Sequence, residues 1–370
     1  MNNKFVTLLP AIVLALLLAL PAQAGMRSPT VLRSQSRAVS RAISKNVERI
    51  IKPKLVIARG ATGSVSAMDL SRDETLLVTA VGDNSLRLWS LEAGREFAGL
   101  SGCKARIGSV SIGPDKKTVL AVTPADGALL FDLGSPGKPR VLAGPDKKIA
   151  AGLVTPDGKA ALADASGRIS ILDLKSGGKT ASFTVGGGPV SALAAGQGGG
   201  GTILAAACGG QVGLFDPNSG KEIIKLQGPG FDIASLGLDG KGLVLAGGGQ
   251  NGQIAIWDLG SGKILHSFNA HSGPVTGVSL NKPGDLLASC GRDGKVRLWN
   301  AAKGTPLKDL GGHDKPVNFV RLDGDGAYAL SGSEDGTTKL WNTLSGAHLV
   351  TLISTRRGWS VVDGLSLIHI

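Results

Sequence analysis

The chain is poor in the residue types that cross-link small proteins or bind metals. Only three of its 370 residues are cysteine, and five are histidine. The three cysteines, Cys103, Cys208 and Cys290, lie far apart, and no disulfide among them is expected. No histidine lies in a cluster with metal-ligand spacing. The sequence therefore predicts neither a metal site nor a cofactor.

The chain also lacks an apolar run long enough to cross a membrane. Its longest run near the amino terminus, Ala11 to Leu20, has ten residues, whereas a spanning helix needs about 20. Lys4 precedes this run, and the small residues Ala22 and Ala24 follow it. This pattern predicts a secretory signal peptide over residues 1–24, with an uncleaved anchor as the alternative. We expect a periplasmic or extracellular protein, and the absence of Asn-x-Ser/Thr sequons favours a bacterial envelope.

Positive charge is concentrated just after this leader. Between Gly25 and Lys54 eight Lys or Arg face the single Glu48, which gives +7 of the whole chain's +12. The remainder of the chain is only mildly basic. The overall charge therefore does not indicate nucleic-acid binding.

The basic segment, residues 25–53, has helical periodicity. Cations and β-branched residues each recur every four positions on different sides: Arg33, Arg37, Arg41, Lys45 and Arg49, and Val39, Ile43, Val47 and Ile51. This pattern predicts a short amphipathic basic helix ending at Pro53. It could bind an anionic membrane or an envelope polymer. The alternatives are a solvated helix packed on the following domain, or a disordered tether.

The most ordered pattern in the chain lies between Lys263 and Asn300. Four strand-length apolar runs are separated there by turn residues, which predicts one four-stranded antiparallel unit. The chemistry recurs 42 residues later, where His313 follows His271 and Trp341 follows Trp299.

These residues resemble the WD40 repeat family, whose repeat closes on a Trp-Asp dipeptide. Equivalent closing pairs recur at spacings of 41 to 43 residues: Trp89-Ser90, Phe131-Asp132, Leu172-Asp173, Phe215-Asp216, Trp257-Asp258, Trp299-Asn300 and Trp341-Asn342. The resemblance implies an all-β fold, a seven-bladed WD-repeat propeller over residues 54–354. Residues 355–370 are expected to be a tail or the start of a further unit.

The resemblance also implies a buried hydrogen-bond network in the well-marked blades. In the family an Asp, a His, a Ser or Thr and a Trp are linked in a chain that satisfies buried polar groups. The matching residues are His271, Ser289, Asp293 and Trp299, then His313, Ser331, Asp335 and Trp341, and in blade 1 Thr79, Asp83 and Trp89. A Ser-His-Asp set could instead indicate a hydrolase. Its repetition one blade along favours the structural interpretation.

The resemblance implies a non-catalytic scaffold that binds other proteins, as a single propeller. The alternatives are a propeller enzyme with an axial site and a module that binds carbohydrate or another envelope polymer. Partner recognition is expected at loops on one face of the ring, which favour an acidic partner: Arg59, Lys104, Arg106, Arg292, Lys315 and Glu334.

Two segments compete to close the ring. Leu55 to Ile57 precedes blade 1 as an amino-terminal closing strand would, and Leu349 to Leu352 could fill the same position. Gly358 to Val362 resembles the opening of another unit.

Overall fold

A computed structural model describes residues 63–135, 137–186, 188–355 and 358–363, with side chains up to residue 353. The predicted signal peptide, the basic segment, Leu55 to Ile57 and Arg59 lie outside the described residues. Within the described residues no helix is long and apolar enough to cross a membrane.

The described chain forms seven antiparallel sheets, numbered here as blades 1 to 7, which confirms the predicted seven-bladed all-β propeller. The first three blades contain β1 (Val65–Leu70), β2 (Leu76–Val81), β3 (Leu86–Ser90) and β4 (Arg95–Leu100); β5 (Ser109–Ile112), β6 (Thr118–Thr123), β7 (Gly127–Asp132) and β8 (Arg140–Ala143); and β9 (Ile149–Val154), β10 (Lys159–Asp164), β11 (Arg168–Asp173) and β12 (Lys179–Thr184). One 3₁₀ turn, Pro145–Lys147, precedes β9.

The remaining four blades follow the same order of strands, from the axis outwards. They contain β13 (Val190–Gly198), β14 (Gly201–Cys208), β15 (Gln211–Phe215) and β16 (Glu222–Lys225); β17 (Ile233–Leu238), β18 (Val244–Gly249), β19 (Gln253–Asp258) and β20 (Lys263–Asn269); β21 (Val275–Leu280), β22 (Leu286–Gly291), β23 (Lys295–Asn300) and β24 (Thr305–Gly312); and β25 (Val317–Leu322), β26 (Tyr328–Ser333), β27 (Thr337–Asn342), β28 (His348–Thr355) and β29 (Gly358–Asp363).

The stretch Lys263 to Asn300 does not form a single sheet, so that part of the prediction is wrong. Its first run is β20, the outermost strand of blade 5, and the other three are β21 to β23 of blade 6. Each repeat therefore links two neighbouring blades. The physical reason is burial, because a sheet needs apolar neighbours on both faces, and a repeat whose strands lie in two consecutive sheets ties those sheets together.

Turn chemistry separates the strands as the sequence predicts. At the bend after β21, the side-chain oxygen of Asn281 accepts N–H groups of Gly284 (3.1 Å) and Leu286 (3.0 Å). In the turn after β22, Asp293 Oδ1 accepts the Lys295 N–H at 3.1 Å. Gly294 there has φ +76°, a conformation that favours glycine. Such Asx bonds fix the turns that join the strands.

Apolar clusters fill the spaces between neighbouring sheets. One cluster packs Met68, Leu77 and Trp89 of blade 1 against Leu330 and Val350 of blade 7. The ring is therefore closed by the same kind of packing that joins consecutive blades. Burial of this apolar surface is the main favourable contribution to the fold.

Closure uses the carboxy-terminal candidate. Strand β28, which contains Leu349 to Leu352, pairs with β27 as the fourth strand of blade 7. Strand β29 then pairs with β28 as a fifth strand. The segment Gly358 to Val362, which resembles the opening of another unit, lies in this fifth strand and pairs with the sheet of blade 7.

Polar side chains join the innermost strands to one another. Three backbone N–H groups donate to side chains of the preceding blade: Ile112 to Asp69 (2.9 Å), Val154 to Ser111 (2.9 Å) and Leu322 to Ser279 (3.0 Å). Across the closing seam, Asn318 Nδ2 donates to the Val65 carbonyl at 2.8 Å. These bonds satisfy inner-edge groups that a sheet alone would leave unpaired.

Candidate functional site

The blade 6 network links a loop, a strand and a turn. His271 follows β20, and its side chain is fully buried. Its Nδ1 lies 2.9 Å from Asp293 Oδ1, and its Nε2 lies 2.8 Å from Ser289 Oγ. The indole N–H of Trp299 donates to the same Ser289 oxygen at 2.8 Å. The four residues thus form one continuous chain.

Blade 7 repeats this geometry almost atom for atom. His313 Nδ1 lies 2.9 Å from Asp335 Oδ2, and His313 Nε2 lies 2.8 Å from Ser331 Oγ. The Trp341 N–H donates to Ser331 at 2.8 Å. Thr337 adds a contact that the four-residue pattern does not include, since its hydroxyl donates to Asp335 at 2.6 Å.

Blade 1 has a shorter version of the network. The Trp89 N–H donates to Thr79 Oγ1 at 3.0 Å, in the place that serine takes in blades 6 and 7. Asp83 Oδ2 accepts from Arg87 Nη2 at 3.0 Å. An arginine therefore contacts the turn carboxylate in this blade.

Blade 5 has the family dipeptide Trp257-Asp258 without the network. Gly247 occupies the serine position, and a Cβ there would lie 2.8 Å from the Trp257 ring. The Trp257 N–H donates instead to the Gln227 carbonyl at 2.9 Å. The closing Trp-Asp dipeptide alone therefore does not predict the hydrogen-bond network of Asp, His, Ser and Trp.

Arg297 of blade 6 also belongs to the network, although its sequence pattern did not predict it. Arg297 Nη1 donates to Asp293 Oδ2 at 2.8 Å and to the Ala270 carbonyl at 3.1 Å. The same nitrogen lies 2.9 Å from His271 Nδ1. The available signal was spacing, because Arg87 follows Asp83 by the same four positions.

The charges in these networks are fixed by their surroundings. Burial would raise the pKa of Asp293, but hydrogen bonds from Arg297 and His271 outweigh this effect and lower it to about 2. Burial likewise opposes ionisation of Asp335, yet His313 and Thr337 hold its pKa below the usual range. Burial lowers the pKa of His271, and the nearby Arg297 charge adds to that shift. A neutral imidazole between a carboxylate and a hydroxyl is the result.

The geometry gives the serines no access to a substrate. Ser289 and Ser331 are 0 % exposed. Each hydroxyl oxygen accepts from an indole N–H and lies against an imidazole. Satisfied and buried in this way, the two Ser-His-Asp sets hold the loop between two blades against the following sheet.

The predicted partner-binding residues that the structure describes, which exclude Arg59, share one face of the ring. Lys104 and Arg106 lie between β4 and β5, Lys315 between β24 and β25, and Arg292 in the turn after β22. Antiparallel order brings blade-entry loops and second-to-third strand turns to the same end of the blades. We name this end the loop face. The four cations are exposed, whereas Glu334, also on the loop face, is half-buried.

Part of the chain matches a known family model. The model described as WD domain, G-beta repeat, matches residues 52–90, 262–300 and 304–342. These are the repeats that close on Trp89, Trp299 and Trp341, in the blades with the best-formed networks. The chain contains WD40 repeats and folds as a seven-bladed β-propeller.

The family model does not match the other four repeats, which close on Phe131, Leu172, Phe215 and Trp257. They still form four-stranded blades in the structure. WD40 propellers generally bind other proteins and are generally non-catalytic scaffolds. No match was found among curated proteins.

Proposed function

We propose that this WD40 propeller is an exported, non-catalytic scaffold that binds an acidic partner protein through its loop face. The observation that carries the proposal is a set of four exposed cations there, Lys104, Arg106, Arg292 and Lys315. None of them forms an ion pair with a residue that the structure describes.

Unpaired cations of this kind favour an acidic partner. Arginine can bind a carboxylate through two parallel hydrogen bonds, and complementary charge also accelerates association. Exposed or half-buried acidic residues of the same face, among them Asp232, Asp314 and Glu334, reduce the positive excess. Asp293 and Asp335 are instead engaged in the buried networks. The loop face therefore carries mainly positive charge, and its few negative positions can help to discriminate between acidic partners.

Charge reversal tests the loop face. A quadruple variant with Glu at positions 104, 106, 292 and 315 should bind a partner copurified from the cell envelope at least about tenfold more weakly, because attraction becomes repulsion. The melting temperature should stay near the wild-type value, since all four side chains are exposed.

A matched variant controls for total charge. Reversal of four exposed cations away from the loop face, at Lys175, Lys221, Lys241 and Lys303, should leave partner binding unchanged. If the loop-face variant binds the partner as well as wild type does, the interface lies on the opposite face or at the blade edges.

The basic segment supports a second role, attachment to an anionic membrane or envelope polymer. Replacing its five periodic cations with Gln should weaken binding to anionic vesicles, and wild-type binding should fall as salt is added. Vesicle sedimentation at low and high salt measures both effects. Equal binding of wild type and variant at low salt would leave the segment only a structural role.

A further inference from the structure

The seven innermost strands enclose a cavity along the propeller axis. Its volume is about 670 Å³, and strands from every blade line it. Cavities of roughly 300–1,000 Å³ are typical of small-ligand sites. At one end the wall continues into the bends after the first strands, such as Ser71 to Asp73, and Pro114 with Lys116. This end, the bend face, lies opposite the loop face.

One level of the cavity has two different sides. The seven inner strands place equivalent residues there, since each pairs with the same position of its second strand. Blades 6, 7, 1 and 2 carry Ser279, Arg321, Asp69 and Ser111, and blades 3, 4 and 5 carry Leu153, Ala194 and Gly237. A polar half therefore faces a small, apolar half.

Arg321 contacts one carboxylate, and part of its guanidinium group is exposed to the cavity. Its Nε lies 3.8 Å from Asp69 Oδ1, and its side chain is 40 % exposed. Asp69 is itself fixed by the Ile112 N–H at 2.9 Å. Among the described residues, Asp69 is the sole hydrogen-bond or ion-pair partner of the Arg321 side chain. The outer guanidinium nitrogens of Arg321 thus remain available to a ligand.

A second arginine lies at the mouth of the cavity. Arg72, in the bend after β1, is exposed and forms no ion pair with a described residue. The neighbouring Asp73 is occupied by Lys116, with which it forms an ion pair. Three cations and two carboxylates in the lining leave an excess of one positive charge.

We propose that this cavity binds a carboxylate attached to an aliphatic body, entering from the bend face. Arg321 and Arg72 pair with the carboxylate, and the Leu153 and Ala194 side receives the aliphatic part. Arginine suits a carboxylate because of its planar, two-pronged donors. Burial of the aliphatic carbons adds affinity in proportion to their area.

Two sources could supply this chemistry: a free aliphatic carboxylate, or the carboxy terminus of a peptide with apolar last residues. Octanoate represents the first source, and the peptide acetyl-Ala-Ala-Val-Leu with a free carboxylate represents the second. Octanamide and the amidated peptide are the matching uncharged controls. The site lies away from the loop face, so it stands independently of the proposed scaffold function.

Calorimetric titration of the full chain tests the proposal. At least one acid should bind saturably, one molecule per chain, whereas its amide should not. Arg321→Gln and Arg72→Gln should each weaken binding by about tenfold or more, because each removes a charged hydrogen-bond donor. Arg168→Gln, an exposed arginine at the loop-face end of β11, should have no effect.

Each outcome decides the question. Binding of octanoate identifies a free carboxylate, and binding of the peptide alone identifies a chain terminus. Equal binding of acid and amide, unchanged affinity in the arginine variants, or no saturable binding of either acid would overturn the proposal. If Arg321→Gln unfolds the protein by leaving Asp69 unpaired, Arg72→Gln still decides, because Arg72 is exposed and unpaired.

Discussion

Arg297 shows how far residue spacing predicts contacts. It follows Asp293 by four positions and reaches that carboxylate, as Arg87 reaches Asp83. In blade 7 the equivalent Lys339 instead donates to the Gly312 carbonyl at 2.9 Å. The spacing places a cationic side chain near the turn. The length of that side chain and the shape of its charged group decide which acceptor it contacts. The sequence could therefore indicate candidates for this contact without selecting among them.

Removal of His271 should destabilise the fold because it breaks the link between Asp293 and Ser289 and leaves the buried Ser289 hydroxyl without its imidazole partner. We expect His271→Ala to lower the free energy of unfolding by about 1–3 kcal/mol, the usual cost of unsatisfied buried polar groups. Urea denaturation of wild type and variant measures the difference. His266→Ala provides a comparison, because that side chain makes one exposed hydrogen bond, to the Ala302 carbonyl.

The two histidines should differ clearly in this experiment. An effect of His271→Ala no larger than that of His266→Ala would show that the buried network contributes little to stability. Partner binding by the folded fraction of His271→Ala should persist. A stable variant that had lost an activity would instead assign chemistry to His271.

Stability should fall as the pH is lowered through the histidine range. The pKa of His271 is lowered in the folded state by burial, opposed by Asp293 and reinforced by Arg297. At a pH below about 6.5 the unfolded histidine binds a proton that the folded one resists, so acid favours unfolding. Denaturation midpoints between pH 8 and pH 5 should therefore decrease, starting near pH 6.5.

A variant separates this histidine from the others. In His271→Gln the loss of stability between pH 8 and pH 5 should be smaller than in wild type. The remaining dependence would come from groups such as His348, whose pKa burial also lowers. An equal loss in both proteins would exclude His271 as its source.

At the scale of the strand, local chemistry predicts elements better than their partners. The bends and Asp-Gly turns correctly separate β20 to β23. The Ala270 to Pro274 loop between β20 and β21 has the length of a hairpin connection, yet its two strands lie in different sheets. A hairpin turn within one sheet and a loop that joins two sheets carry the same local sequence signals. Only the burial of each sheet on both faces distinguishes the two kinds of connection.

Closure was undecided in the sequence for a related reason. Pairing of a terminal strand depends on contacts with residues far along the chain, which local patterns do not encode. In the structure, Val350 pairs with Leu340 of β27, and both join the cluster between blades 7 and 1. Tertiary burial thus selects β28 for the position.

The middle blades show which elements of the repeat are dispensable. Blades 2, 3 and 4 close on Phe131, Leu172 and Phe215, and all three side chains are buried. An apolar closing residue therefore maintains the packing between blades even where the indole hydrogen bond is lost. The replacement of the closing Trp by Phe or Leu in these blades could be read directly from the sequence, since it concerns residue identity alone.

At the scale of the described propeller, the two ends of the blades differ in chemistry. The loop face carries exposed, unpaired cations, whereas the cavity near the bend face combines an ion pair with an apolar wall. The sequence predicted the cations through the resemblance, because loops follow strands in a fixed order. It did not reveal the cavity, because which inner-strand residues meet at the axis depends on the register of all seven blades.

The proposed export rests on the amino-terminal composition rather than on the propeller. A basic start, a ten-residue apolar run and small residues before Gly25 match a signal that is cleaved on export. We expect protein purified from an envelope fraction to begin at Gly25, as determined by amino-terminal sequencing. A variant with Asp in place of Leu16 and Leu17 should remain in the cytosol and keep Met1, because charge in the apolar run blocks its recognition. Wild-type protein that carried Met1 in a cytosolic fraction would contradict export, and the scaffold would then need a cytosolic partner.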